Sequence, residues 1–391
     1  MVIVECRLPM LDLGRAFAGV REDVLSAIER VIGSQSFILG REVRAFEEDV
    51  ESYLGLPEGG AVGCASGTDA LLLALMALDV GPGDEVVTTP YTFFATASAV
   101  TRLGATPVFA DIDPVTYEVD LDDVLRKLSP RTKAFLPVHL FGQMVPFERI
   151  IPTLEERGIR VVEDAAQALG SWRRVDGQIV RAGTVGTIGC FSFFPTKNLG
   201  ACGDGGMVVT SDISLAARMR RLRVHGESET YLHQEVGLNS RLDAMQAAIL
   251  RAKLPHLDEW DRERRDRAAY YRLAFEARGL TGPGGLTLPT EIEDGYHIWH
   301  QYVVRVPSSM AGAGRDQLMA RLEERGFQTR VYYPLPLHLQ PCFAFLGGRE
   351  GDHPEAERLS KEALALPVFP GLTGEEQDAL ADAMADLLRK A

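Results

Sequence analysis

Short apolar runs, rich in β-branched residues, alternate with segments of helical period over the first half of this chain. The apolar runs cover residues 85–89, 107–111, 134–140, 159–163, 187–191 and 207–210. Helical periodicity covers residues 69–78, 95–103 and 146–157. Strands separated by helices are typical of an α/β fold with a mostly parallel sheet. Because ligands of such folds bind beyond the carboxyl ends of the strands, polar residues that follow the runs are candidate site residues.

The pattern of alternating strands and helices fades after Thr210. A long helical stretch follows over residues 241–278. Beyond it we predict a smaller α+β unit with strands at 298–306 and 329–333 and helices at 316–325 and 375–389. Thr373 and Glu376 form a capping box before the last helix, and the Gly- and Pro-rich residues 279–289 predict a linker. We expect an N-terminal segment (1–40) packed on the small domain, a large domain (41–260) and a small C-terminal domain (261–391).

Composition narrows the class of protein. The chain has 391 residues, 46% of them apolar, and a net charge of −14, which argues against nucleic acid as a partner. Its five cysteines form no CxxC pair, which favours reduced thiols in the cytoplasm over a disulfide framework. The first twenty residues lack the apolar core of a signal peptide. No run approaches the ~20 apolar residues that span a bilayer, so we expect a cytoplasmic protein without a membrane segment.

A lysine and an aspartate stand out among the candidate site residues. Lys197 lies between the aromatic residues 191–194 and the glycine-rich residues 200–206, and Asp164 ends the apolar run at 159–162. Pyridoxal phosphate (PLP) chemistry needs both types: a lysine that forms a Schiff base and a carboxylate that keeps the pyridine nitrogen protonated. The alternatives are a solvated surface lysine and an aspartate that caps a helix.

Four further features fit the same cofactor. Residues 66–68 (Ser-Gly-Thr) precede an apolar helix, whose N-terminus offers free N–H groups to a phosphate. We expect Ser192 to be a further phosphate ligand, Gln167 to reach the phenolic oxygen of the cofactor, and Phe93 to stack on the pyridine ring. Taken singly, these residues also suit a capped helix, a capping partner and a core phenylalanine.

Motifs along nearly the whole chain resemble one family. They are residues 11–13, 37–40, 65–71, 81–86, 163–167, 193–200, 203–206, 237–243, 246–248 and 333–338. In this order they are similar to the DegT/DnrJ/StrS family of PLP-dependent sugar aminotransferases, which have the fold of aspartate aminotransferase (PLP fold type I). That fold implies a large domain with a seven-stranded, mostly parallel sheet between helices and a smaller α+β domain.

The resemblance also implies a role for each matching residue. These are Lys197 as the Schiff-base lysine, Asp164 as the pyridinium partner, Gln167 at the ring oxygen, Gly67, Thr68 and Ser192 at the phosphate, Phe93 on the ring, and Asn239 at the phosphate of the neighbouring subunit. Asn239 thus implies a homodimer with shared active sites. Some members carry histidine in place of the lysine and catalyse a dehydration, so Lys197 favours transamination.

The implied reaction moves an amino group from L-glutamate to a ketosugar linked to a nucleoside diphosphate. Residues 223–226 and 237–246 look closer to members that act on 3-ketosugars carried by UDP or dTDP, with amination at C4 as the alternative. Candidate residues for substrate binding are Arg241, Arg330, Tyr332, Tyr333 and His338.

Two other classes remain open from the sequence. One is a regulatory protein with a degenerate PLP fold, which the set of Asp164, Gln167, Ser192, Lys197 and Asn239 argues against. The other is a cysteine desulfurase, which needs a reactive cysteine on a mobile loop. Cys342, flanked by proline, is a poor candidate for that cysteine.

Overall fold

The computed structural model describes residues 6–307 and 314–389. The α-helices are α1 (Leu13–Ala18), α2 (Arg21–Ser34), α3 (Arg41–Leu54), α4 (Gly67–Ala77), α5 (Ala95–Arg102), α6 (Leu121–Lys127), α7 (Ile151–Glu156), α8 (Ile213–Leu222), α9 (Ala244–Lys253), α10 (Leu257–Ala277), α11 (Gly314–Glu324), α12 (Pro354–Glu362) and α13 (Gly374–Arg389). The strands are β1 (Ala61–Cys64), β2 (Glu85–Thr88), β3 (Thr106–Phe109), β4 (Thr132–Phe135), β5 (Arg160–Asp164), β6 (Trp172–Val175), β7 (Gln178–Arg181), β8 (Ile188–Ser192), β9 (Gly206–Val209), β10 (Glu227–Glu229), β11 (Leu232–His233), β12 (Gly295–Tyr296), β13 (Tyr302–Arg305) and β14 (Ala363–Leu366). None of the helices in these ranges is long and apolar enough to cross a membrane.

A seven-stranded sheet forms the centre of the larger unit, in the order β1-β9-β8-β5-β4-β2-β3. All neighbouring strands run parallel except β9, which is antiparallel to both β1 and β8. Apolar side chains on both faces pack against helices, with α4 and α8 on one side and α3 and α9 on the other. The predicted α/β fold class is confirmed. Strand β1 was missing from the prediction because it is only four residues long and contains a glycine.

The carboxyl ends of the main strands meet at one edge of this sheet. Ser66 follows β1, Phe93 follows β2, Asp164 ends β5 and Ser192 ends β8. These strands share one direction, because β1 and β8 are each antiparallel to β9. Side chains that are far apart in sequence therefore lie together at this edge.

The smaller unit contains the antiparallel pair of β13 and β14 and a core shared by α10, α11 and α13. The predicted strand at 329–333 is wrong: it makes a single bridge, between Arg330 and Ala365, and the chain then turns toward the larger unit. The strand that pairs with β13 is β14 instead. The predicted linker at 279–289 is also wrong, because Leu280 and Leu286 are buried in the core of the smaller unit. The predicted capping box is present.

The N-terminal residues contact both units. Leu8 is buried in the core of the smaller unit and pairs with Phe327, whereas α2 packs on α9 of the larger unit. The predicted boundary between residues 260 and 261 lies inside the continuous helix α10. The division into domains therefore stays a prediction.

Candidate active site

A cavity of about 720 Å³ opens at the sheet edge where the carboxyl ends of the strands meet. Nine of the predicted site residues line it: Gly67, Thr68, Phe93, Asp164, Gln167, Ser192, Lys197, Tyr332 and Tyr333. They come from the ends of strands, from the start of α4 and from the chain just before Pro334. The fold thus brings together residues that are up to 266 positions apart (67 to 333).

Lys197 lies in a tight turn after β8. Its backbone N–H donates to the carbonyl oxygen of Phe194 at 2.8 Å, and its side chain reaches the cavity. Burial penalises the charged ammonium and lowers the pKa of Lys197 from 10.5 to about 8, although the negative charge of Asp164 opposes this shift. A substantial fraction of the amine is therefore neutral and nucleophilic near pH 8.

Asp164 ends β5 and is only 5% exposed. The hydroxyl of Thr96 donates to Oδ2 of Asp164 at 2.7 Å, and the backbone N–H of Ala166 donates to Oδ1 at 3.3 Å. Burial raises the pKa of Asp164, while the hydrogen bonds from Thr96 and Ala166 and the charge of Lys197 oppose the rise. A buried carboxylate in this setting is stabilised by a cation placed against it.

The start of α4 lies at the cavity and is suited to bind an anion. Ser66 caps the helix by accepting a hydrogen bond from the N–H of Asp69 at 3.1 Å. The N–H groups of Gly67 and Thr68 have no acceptor within the described part of the chain. A Cβ atom at Gly67 would lie 2.6 Å from Cβ of Ser192, so a glycine is needed there. Free N–H groups at a helix N-terminus beside a serine hydroxyl suit a phosphate.

Gln167 and Tyr333 are joined across the cavity. Oε1 of Gln167 accepts from the N–H of Phe141 at 2.7 Å, and Nε2 donates to the hydroxyl of Tyr333 at 3.1 Å. The ring of Phe93, 58% exposed, lies 6.3 Å from the ring of Tyr333. The amide of Gln167 is therefore oriented by two partners, and Phe93 presents an open aromatic face.

Four predicted residues lie outside this cavity. Asn239 is exposed and lines, with Arg241, a separate groove of about 420 Å³, which shares Asp204 with the cavity. Arg330 is exposed, and its guanidinium donates to the carbonyl oxygen of the adjacent Thr329. His338 is 3% exposed, and its Nε2 lies 3.1 Å from Oε1 of Glu357. Arg330 and His338 therefore do not line this cavity, and their role in substrate binding stays a prediction.

Several residues at the site were missed in the sequence. Thr96 holds Asp164 from 68 positions away, and the hydroxyl of Tyr91 bridges the backbone of Tyr332 and Tyr333. His300 and Gln301, which precede β13, also line the cavity. No local sequence pattern predicts such contacts. Tyr91 and Thr96 lie close to Phe93 in the sequence, however, and this proximity to a predicted site residue could have indicated them.

The residues present fit pyridoxal phosphate group by group. The start of α4 and Ser192 suit its phosphate, Asp164 suits a protonated ring nitrogen, and Lys197 suits its aldehyde. Cys342 is exposed and lies outside the cavity, and the described residues that line the cavity include no cysteine, which a cysteine desulfurase would require.

Comparison with known proteins identifies the family. A model of the DegT/DnrJ/EryC1/StrS aminotransferase family matches residues 19–385. This chain belongs to that family. It is 48% identical to a pleiotropic regulatory protein of Geobacillus stearothermophilus, over 98% of this chain and 99% of the relative. It is 45% identical to the UDP-N-acetyl-3-dehydro-α-D-glucosamine 3-aminotransferase of Acidithiobacillus ferrooxidans, over 94% and 95%. The crystal structure of DesV from S. venezuelae, in complex with a ketimine intermediate, superposes with a TM-score of 0.91 at 40% identity and covers 99% of this chain and 100% of DesV.

Proposed function

We propose that this member of the aminotransferase family is a PLP-dependent enzyme that moves an amino group from L-glutamate to C3 of a ketosugar linked to UDP or dTDP. The observation that carries the proposal is the shared cavity of Lys197, Asp164 and the N-terminus of α4. A lysine of lowered pKa, a buried carboxylate and an anion-binding helix end together match the three functional groups of the cofactor.

Each residue has a distinct task in this scheme. Bound PLP supplies an electron sink that stabilises negative charge at the carbon that loses a proton. Asp164 holds a positive charge on the ring nitrogen, and Gln167 and Phe93 orient the ring. The N–H groups of Gly67 and Thr68 and the hydroxyl of Ser192 bind the phosphate. Lys197 would carry a proton at Nζ between two carbons of the reacting molecule, which its pKa, lowered by burial to about 8, allows.

The choice of C3 rests on the relatives. The Acidithiobacillus relative is a 3-aminotransferase by name and aligns with 94% of this chain. Further relatives at 41% and 38% identity are named for 3-amino or 3-oxo sugars, in the dTDP and UDP series respectively. Amination at C4 is correspondingly less well supported. The regulatory alternative is not favoured either, because the lysine, the carboxylate and the phosphate-binding helix end are all in place.

Asn239 and Arg241 support a homodimer. Both face a surface groove beside the cavity instead of the cavity itself, so a two-fold partner can receive them at its phosphate and its substrate. Exposed Ile38 lines this groove, and it provides apolar area for such a contact together with its exposed neighbour in the chain, Phe37. Five free cysteines, two of them buried, fit a reducing cytoplasm as the working compartment.

A matched pair of lysine variants tests the proposed reaction. We expect glutamate-dependent amination of a UDP- or dTDP-3-ketosugar by the wild type and at least about 1,000-fold slower turnover by Lys197→Ala, since the nucleophile and the proton carrier are both lost. Lys133→Ala is the control, because Lys133 is also partly buried but its Nζ donates to the carbonyl oxygen of Asp79, away from the cavity. Turnover of a 4-ketosugar with none of the 3-ketosugars would overturn the choice of C3. Near wild-type turnover by Lys197→Ala would overturn the mechanism.

A further inference from the structure

The residue next to Lys197 is tied to two distant segments. The carboxamide of Asn198 is only 9% exposed. Its Nδ2 donates to Oδ1 of Asp261 in α10 at 2.6 Å and to the carbonyl oxygen of Ile298 at 3.3 Å. Its Oδ1 accepts from Nδ1 of His300 at 3.0 Å. Every hydrogen-bonding group of this side chain is therefore used.

These contacts fix the protonation of His300. The two acceptors on Nδ2 of Asn198 leave its Oδ1 facing the imidazole, so Nδ1 of His300 carries the proton. Burial lowers the pKa of His300 well below 6.5, and the positive charge of Lys197 lowers it further. His300 is thus a neutral ring at the cavity wall, and its Nε2 has no partner among the residues that the structure describes.

Asp261 is a costly residue for a helix core. It is 1% exposed. Its Oδ2 packs so closely against Gly170 that a Cβ atom added to this glycine would lie only 2.3 Å from it. Burial raises the pKa of Asp261 to about 8, although the hydrogen bond from Asn198 opposes the rise. An apolar residue of similar size would avoid this desolvation cost. In return the carboxylate accepts the short hydrogen bond from Asn198 and is stabilised by the positive charges of Arg264 and Arg265.

We propose that Asn198, held by Asp261 and His300, is a positioning residue that keeps the Lys197 amine inside the cavity. Lys197 occupies the turn that starts at Phe194, and the side chain of Asn198 anchors the end of that turn. Release of this anchor would let the turn move and let water reach the amine. The inference rests on the proposed role of Lys197, but its test requires no turnover.

The test measures the Lys197 amine in protein freed of PLP. Formaldehyde with cyanoborohydride methylates neutral amines, and peptide mass spectrometry gives the labelling rate of Lys197 at each pH. We expect half-maximal labelling of the wild type near pH 8. In Asn198→Ala we expect the midpoint to move toward 10.5, so that labelling at pH 8 falls about tenfold for each unit of displacement. Asp164 and Asp204, the carboxylates that line the cavity, stay in place in every variant.

Two substitutions at Asp261 separate the hydrogen bond from the charge. Asp261→Asn keeps an acceptor oxygen for Asn198, and we expect labelling at pH 8 within about threefold of the wild type. Asp261→Leu removes the acceptor and should behave like Asn198→Ala. If Asp261→Leu does not fold, His300→Ala replaces it, because it removes the donor to Oδ1. His297→Asn is the control, since His297 is buried nearby without a hydrogen bond to Asn198.

Two results would overturn the positioning role. One is folded Asn198→Ala protein whose Lys197 still labels with a midpoint near pH 8. The other is an equal effect of Asp261→Asn and Asp261→Leu. Wild-type protein that labels as expected but aminates no ketosugar would instead overturn the proposed function and leave the positioning role standing.

Discussion

The hydroxyl of Thr96 donates a 2.7 Å hydrogen bond to Oδ2 of Asp164, although the two residues are 68 positions apart. The bond joins the first turn of α5 to the carboxyl end of β5. Both residues are buried, Thr96 completely and Asp164 with only 5% of its surface exposed. Because the bond stabilises the carboxylate form, Thr96 helps Asp164 to stay charged against the effect of burial.

Replacement of Thr96 by the isosteric valine should therefore weaken cofactor binding. A hydrogen bond to a charged group contributes about 1.5–3 kcal/mol, so we expect PLP affinity to fall by roughly tenfold or more in Thr96→Val. Equilibrium binding of PLP, followed by absorbance, measures the effect. Thr101→Val is the control on the same helix, because the hydroxyl of Thr101 donates to the carbonyl oxygen of Ala97 within the helix, away from Asp164. Equal affinities of the two variants would show that Thr96 does not act through Asp164.

Asp164→Asn should keep the fold and lose turnover by orders of magnitude. Asparagine can still accept the hydrogen bond from Thr96, but it carries no charge to hold the ring nitrogen protonated. Each factor of ten in rate corresponds to about 1.4 kcal/mol of transition-state stabilisation. Asp113→Asn is the control, since Asp113 caps a loop outside the cavity. Turnover within about threefold of the wild type, roughly 0.65 kcal/mol, would leave Asp164 as a structural cap only.

Subunit mixing tests the proposed shared site. Lys197→Ala and Asn239→Glu should each be inactive, the second because a carboxylate repels the partner's phosphate. In a mixed dimer one site carries both lesions and the other carries neither. Random exchange of equal amounts should therefore restore about a quarter of the wild-type activity. Unmixed variants serve as controls. Complete exchange without recovery, or a fully active monomer in sedimentation, would refute the shared site.

The acid side of the stability profile should depend on His297. Burial lowers the pKa of His297 from 6.5 to about 3. The unfolded chain therefore binds a proton below pH 6.5 that the folded chain does not, so stability is complete above pH 6.5 and falls as the pH drops toward 3. At pH 4.5 the loss approaches about 3 kcal/mol from this residue.

We expect His297→Asn to reduce the difference in the free energy of unfolding between pH 7.5 and pH 4.5, measured by urea titration. Oδ1 of asparagine can still accept the hydrogen bond that the N–H of Trp299 donates to Nδ1 of His297. His233→Asn is the control, because His233 is exposed. An unchanged pH dependence in His297→Asn would show that His297 takes up its proton without unfolding.

The sequence by itself determined the class of fold and the chemical centre. Buried strands of a parallel sheet are largely apolar along their length, so residues 134–136 and 188–191 stand out against the helical segments around them. Lys197 and Asp164 stand out because charged residues beside apolar runs are costly unless they are used. These signals are local, so they can be recognised in the sequence without information on tertiary contacts.

Only the tertiary structure decided which distant residues meet. Thr96 and His300 reach the site because the carboxyl ends of the parallel strands meet at one edge of the sheet and because the segment before β13 lines the same cavity. The same packing places His338 outside the cavity, where its Nε2 contacts Oε1 of Glu357. Contacts of this kind depend on the register of strands and on the crossing angles of helices, which are set by the packing of the whole core. A local pattern of residue types therefore does not predict them.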